Sequence, residues 1–215
     1  MEGAGSGGRA GAGAGVGDTD TRPDVDIHLL GPVRIGAGPA ADLVGPPKER
    51  LVLAALAVDA GRPVPRDTLI RRVWDEERPA KPYASLYPLV TRVRKRLEAA
   101  VPGARLDGHR HTYTLALAPE RVDSHLYQTL TARARALVDT GDDTEALELF
   151  RRADALWRGE PLAGLTGAWA EAVRSLLTGK RRAAHTGRIA VRLRQGHFAE
   201  VVPELTALVG RYPAD

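Results

Sequence analysis

With 215 residues, 43% of them apolar, the chain is long enough for one large domain or two small ones. No stretch approaches the roughly 18 uninterrupted apolar residues of a membrane span, and the absence of cysteine excludes disulfides and thiolate metal sites and fits a reducing cytoplasm. The formal charge is +4, and the excess sits in the middle: residues 25–118 carry 15 basic and 10 acidic groups against 14 and 13 in residues 119–215, and residues 79–118 alone hold 7 against 2. A local field of that sign suits a polyanion.

Residues 1–24 are Gly, Ala and small polar groups without the pattern of a secretory signal, and they predict a disordered tail. Order is expected from Val25, where Asp26-Ile27-His28-Leu29-Leu30 leads through Gly31-Pro32 into Val33-Arg34-Ile35, two short strands about a Gly-Pro turn, with a further extended piece at Leu43 and Val44. After Pro46-Pro47 a helix is predicted with Leu53, Leu56 and Ala57 on its inner face, stopped by Gly61 and Pro63. Asp67 announces a second, with Leu69, Ile70, Val73 and Trp74 at helical period. Past Pro79 and Pro82, the spacing of Leu86, Leu89, Val90, Val93 and Leu97 makes the clearest amphipathic helix in the chain. Arg105-Leu106-Asp107-Gly108 and Thr112-Tyr113-Thr114-Leu115 then read as a hairpin. Strands, three helices and a hairpin in that order make a winged helix-turn-helix.

From Asp123 onward the pattern is helical throughout. Asp123 is placed to cap a helix burying Leu126, Leu130 and Leu137 that ends near Gly141. Thr144 begins another with Ala146, Phe150, Ala153 and Trp157 inward; a long helix follows from near Trp169, and His197-Phe198 open a last one containing Val201, Val202, Leu205 and Leu208. Helix pairs joined by Gly-containing turns resemble tetratricopeptide-like repeats. The predicted fold is therefore mainly α with small β elements: a tail over 1–24, a winged helix over 25–118, and an all-α repeat domain over 119–215.

The third helix of the first domain carries the strongest functional pattern. With its apolar residues inward, Tyr87, Thr91, Arg92, Arg94, Lys95 and Arg96 face outward. Arginine pairs bidentately with guanine in the major groove, and lysine or threonine holds phosphates. A solvated basic face is the alternative, and the winged-helix order around it favours DNA. The hairpin tip, Asp107-Gly108-His109-Arg110-His111, places an arginine for the minor groove. His109 and His111 would share one side of a strand, but no third metal ligand lies nearby in sequence. No phosphate-cradling loop or nucleophile elbow occurs; Glu76-Glu77 and Asp142-Asp143 sit where helix capping accounts for them, Lys180-Arg181-Arg182 read as a solvated helix face, and Trp157 and Trp169 as anchors of the helical core. Neither an enzyme nor a cofactor is expected.

These residues resemble the Streptomyces antibiotic regulatory protein family. The resemblance runs from Val25 to the end of the chain, through His28–Ile35, Pro47–Leu56, Leu69–Trp74 and Leu89–Arg94, then Val122-Asp123, Ala155–Gly159 and Gly196–Phe198. It implies an OmpR-type winged helix fused to a bacterial transcriptional activation domain, in a cytoplasmic activator. Such a protein would bind direct repeats about one DNA turn apart, with a possible homodimer on DNA, and recruit RNA polymerase to a biosynthetic gene cluster. It gives base reading to Arg92, phosphate contacts to Trp74, Arg94 and Lys95, and the wing contact to Arg110. The chain departs from the pattern in three places. Pro88 lies in the reading helix, which must begin late near Ser85 or kink; the wing has Thr112-Tyr113 in place of Gly-Tyr; and Asp215 stands near the middle of the family's activation domain. A shortened helical array is expected to expose apolar surface at its open end. The alternative function is a protein-interaction module whose DNA-binding domain is degenerate.

Overall fold

The computed structural model describes residues 25–37, 41–196 and 198–211, with the backbone alone for 42, 43, 200, 204, 207–209 and 211. The tail read over 1–24, His197 and the side chain of Leu208 fall outside this description. Three two-residue strands come first: β1 (Ile27–His28), β2 (Arg34–Ile35) and β3 (Asp42–Leu43), an antiparallel sheet in the order β1-β2-β3.

Helix α1 (Pro47–Ala57) opens on proline, whose missing N–H falls where the helix has no acceptor. Sequence periodicity assigns it one inner face, but the whole run Leu51–Ala57 is buried. The reason is its central position: helices α2 (Arg66–Trp74) and α3 (Pro82–Ala100) and a strand pack around it, and the His125 imidazole reaches the Ala57 carbonyl at 3.1 Å. Strand β4 (Pro63–Pro65) was not anticipated, since Pro63 read as the stop of the preceding helix. It is an edge strand, where proline is tolerated, with Val64 buried. The sheet β4-β6-β5 is completed by the hairpin of β5 (Arg105–His109) and β6 (Thr112–Ala116).

Helix α3 buries Leu86, Leu89, Val90, Val93 and Leu97, the periodic set. It starts at Pro82, not near Ser85, so Pro88 stands inside the helix on its exposed side.

The second half comprises α4 (Asp123–Thr140), α5 (Asp143–Asp154), α6 (Ala168–Arg194) and α7 (Phe198–Arg211). Gly141 ends α4 in the left-handed conformation at φ +86°, and Asp142 caps α5 by accepting the Glu145 N–H at 3.2 Å. Asp123 does not cap α4. It is the first helical residue, and its buried carboxylate accepts the backbone N–H groups of Leu29 (2.8 Å) and Leu30 (3.0 Å), more than ninety positions away.

That contact belongs to a broader seam. Ile27 bridges Val122, the Arg158 N–H donates to the Leu30 carbonyl at 2.7 Å, and the Leu162 N–H donates to Leu29 at 3.0 Å. A second seam joins α2 to α6. Asp75, at φ +47° beyond the end of α2, accepts the Ala168 N–H at 2.8 Å and so caps α6 from the other half. Gly167 has no Cβ to strike that carboxylate. Arg72 lies 5.6 Å from the Trp169 ring, which makes Trp169 an anchor of this seam as well as of the helices. One apolar core consequently runs from Val25 to Ala184.

Lys180 and Arg181 are half-buried and engaged, unlike a solvated face. Lys180 donates to Gln128, while Arg181 pairs with Asp154 at 3.0 Å and stacks 4.5 Å from Trp157. Hydrogen bonds from His185 and Arg181 hold the Asp154 carboxyl well below the usual carboxylate range, despite its partial burial.

Candidate nucleic-acid interface

The outer surface of α3 carries Tyr87, Arg92, Lys95 and Arg96, all exposed, with Thr91 and Arg94 half-buried at its border. The side chains differ in how far they are committed. The Thr91 hydroxyl donates to the Tyr87 carbonyl at 3.0 Å. Arg94 Nε donates to the Leu106 carbonyl at 2.8 Å and so ties the helix to the wing. Arg92 is 51% exposed, and its Nε donates to Glu49 Oε1 at 2.5 Å; Arg96 Nε donates to the other carboxylate oxygen at 3.2 Å. Glu49 projects from α1 and is itself buried.

The wing turn is shorter than the sequence indicated. Asp107, Gly108 and His109 belong to β5, and the turn is Arg110-His111. His109 and His111 therefore do not share one side of a strand, and among the described residues no group of three His, Cys, Asp or Glu is placed to hold a metal. Arg110 is exposed and sits in the left-handed region at φ +49°. Thr112, one of the departures at the wing, closes the turn by donating its hydroxyl to the His109 carbonyl at 3.0 Å. Gly108 lets the Tyr113 ring lie across the strand, since a Cβ there would stand 3.2 Å from it.

Between α2, α3 and the wing lies a depression lined by Arg66, Tyr83, Leu86, Tyr87, Arg94, Gly108 and Tyr113. Arg66 stacks 5.4 Å from the Tyr113 ring, its N–H donates to the His111 carbonyl at 2.8 Å, and the Tyr83 hydroxyl donates to Asp67 at 2.6 Å. Trp74 stands apart from the α3 group. It ends α2, half-buried against the core, with the Lys48 ammonium 6.0 Å from its ring centre. Sequence reasoning missed Arg66, Tyr83 and Glu49 as parts of this surface. Arg96 was legible, being one turn beyond Arg92, but was not counted among the contacts.

The comparisons agree with this architecture. Residues 41–108 match the family described as transcriptional regulatory protein, C terminal, and residues 122–215 match the bacterial transcriptional activator domain. The chain is 35% identical over 185 residues to regulatory protein AfsR of Streptomyces coelicolor, covering 86% of this chain and 18% of that protein. It is 32% identical to transcriptional regulator RedD of the same species, covering 88% of this chain and 55% of RedD. Among solved structures, Mycobacterium tuberculosis EmbR, in complex with a low-affinity phosphopeptide, is similar with a TM-score of 0.82 at 28% identity, over 88% of this chain and 51% of EmbR. The chain thus spans from about a fifth to about half the length of these relatives. No helix among the described residues is long and apolar enough to cross a membrane. An OmpR-type DNA-binding domain followed by an activator domain, shared with these regulators, places the chain in the Streptomyces antibiotic regulatory protein family.

Proposed function

We propose that the chain is a cytoplasmic, sequence-specific binder of double-stranded DNA that regulates transcription, with residues 25–118 as the DNA-binding unit and 119–215 as the activation unit. Helix α3 lies in the major groove with Arg92 reading base edges; Tyr87, Thr91, Arg94 and Lys95 contact the backbone, Trp74 supports the end of α2 against a phosphate, and Arg110 on the wing reaches the adjacent minor groove. Two copies on a direct repeat present their helical domains to RNA polymerase at a biosynthetic gene promoter. The observation that carries this reading is Arg92, half-exposed on a helix whose opposite face is packed into the core, with its Nε bonded to the buried Glu49 carboxylate.

The test is a fluorescence titration of labelled duplex at several salt concentrations. With Arg94 and Lys95 neutralising phosphates, log affinity should fall against log salt with a slope of roughly −2 per protomer. Salt-insensitive binding, or none from folded protein, overturns it. Exposed Phe198, Val202 and Leu205 on α7 favour a second reading, a protein-docking module. Recovery of a stoichiometric protein partner without salt-sensitive DNA binding would select it.

A further inference from the structure

We infer that Glu49 is a positioning residue, one that aims Arg92 and Arg96 at DNA and thereby sets sequence discrimination; the inference rests on the DNA-binding reading above. An arginine on an exposed helix face samples many rotamers, whereas reading guanine requires its planar fork at a fixed place and tilt. Glu49 removes that freedom. Its carboxylate, 3% exposed, engages Arg92 Nε through one oxygen and Arg96 Nε through the other. With Nε occupied, the two Nη nitrogens of Arg92 are presented end-on, an edge that can pair with guanine O6 and N7.

The carboxylate is confined as well. Gly45 packs so closely over it that a Cβ there would collide with Glu49 Oε2 and stand 3.2 Å from Arg96 Nη2. The aim of both arginines is thus set by the Gly45 backbone, in the loop that precedes α1.

The electrostatics point to the same role. Arg92 and Arg96 are one helical turn apart and would repel each other without the acid between them. Glu49 also lowers the positive potential of the face, which weakens non-specific attraction to phosphates. Removing its charge therefore has two consequences of opposite sign. Attraction to any duplex rises, and discrimination between duplexes falls. A residue that served the fold alone would lower both affinities together.

The experiment titrates two labelled duplexes of equal length, one selected by the wild-type protein from a random pool and one scrambled, against wild type, Glu49→Gln and Gly45→Ala. For Glu49→Gln the scrambled duplex should bind about twofold tighter and the selected-to-scrambled ratio should drop about tenfold, the size of one oriented bidentate contact. Gly45→Ala changes no charge, so scrambled binding should match wild type while the ratio falls several-fold. An unchanged ratio in Glu49→Gln, or a parallel loss of both affinities in protein that circular dichroism shows to be folded, overturns the inference. Should Glu49→Gln fail to fold, Gly45→Ala decides, and an unchanged ratio there is fatal. If wild type shows no preference between the duplexes, the DNA-reading assignment itself fails.

Discussion

His28 and Asp123 form a buried titratable pair on the seam between the two halves, with Nδ1 and Oδ2 3.9 Å apart. The imidazole Nε2–H donates to the Gly36 carbonyl at 2.9 Å. Burial lowers His28 from 6.5 to about 4; the Gly36 carbonyl and Asp26 oppose the shift, and Arg158 and Arg34 add to it. Burial also raises Asp123 from 3.8 to about 7, against the N–H groups of Leu30, Leu29 and Ser124 and the charge of Arg158. Taken alone, Asp123 contributes stability that is full below pH 3.8 and is lost as pH climbs towards 7. His28 contributes stability that is full above pH 6.5 and is lost as pH falls towards 4. Between about pH 4 and 6.5, folding moves one proton from imidazole to carboxyl, and the two slopes, each about 1.4 kcal/mol per pH unit, cancel. Single variants unmask them. Asp123→Asn retains the His28 slope, so its destabilisation relative to wild type should shrink by about 2 kcal/mol between roughly pH 4.5 and 6.5. His28→Gln retains the Asp123 slope, so its destabilisation should grow by about 2 kcal/mol over the same interval. Asp123→Asn also carries a pH-independent loss of about 1–3 kcal/mol, because the amide nitrogen cannot accept from a leucine N–H. Urea unfolding followed by circular dichroism at the two pH values measures all of this. Penalties that do not change with pH in either variant would refute the neutral-pair reasoning.

Two further outcomes follow from the backbone geometry. Asp75→Ala removes the cap supplied to α6 from the other half, and should cost about 1 kcal/mol and speed amide exchange in the first turn of α6; unchanged exchange there would show that the cap is idle. Arg110→Gly relieves a left-handed residue at the wing turn, so thermal unfolding should show a gain of up to about 1 kcal/mol while DNA affinity falls, and a loss of stability would mean that the Arg110 side chain supports the hairpin.

The periodic features of the fold were legible in the sequence, and the relational ones were not. The buried set of α3 and the short turn at Gly141 rest on spacing and backbone preference within a few residues, and both appear as expected. Strand β4 was hidden because Val64 lies between two prolines, and its pairing partner, β6, is some fifty residues away. The burial of α1 on all sides depends on elements from both halves, which no single-helix pattern contains. Asp123 looked like an N-cap because aspartate before a helical run usually is one; its real acceptor role is defined by Leu29 and Leu30, a contact made by tertiary packing alone. The basic residues on α3 were likewise readable from their face, whereas the anchoring of Arg92 by Glu49 spans 43 positions and two helices. Lys180 and Arg181 were misread for the same reason, since Gln128, Asp154 and Trp157 lie on other segments.

The most direct test of the central claim, that α3 reads DNA sequence through Arg92, is parallel selection from a random duplex pool with wild type and Arg92→Ala at ~0.15 M salt, near physiological ionic strength. The account predicts that wild type enriches a direct repeat with its half-sites roughly one helical turn apart, and that the variant loses a guanine preference within each half-site while still binding DNA. Folded wild-type protein that enriches nothing, or an identical motif from both proteins, would contradict it.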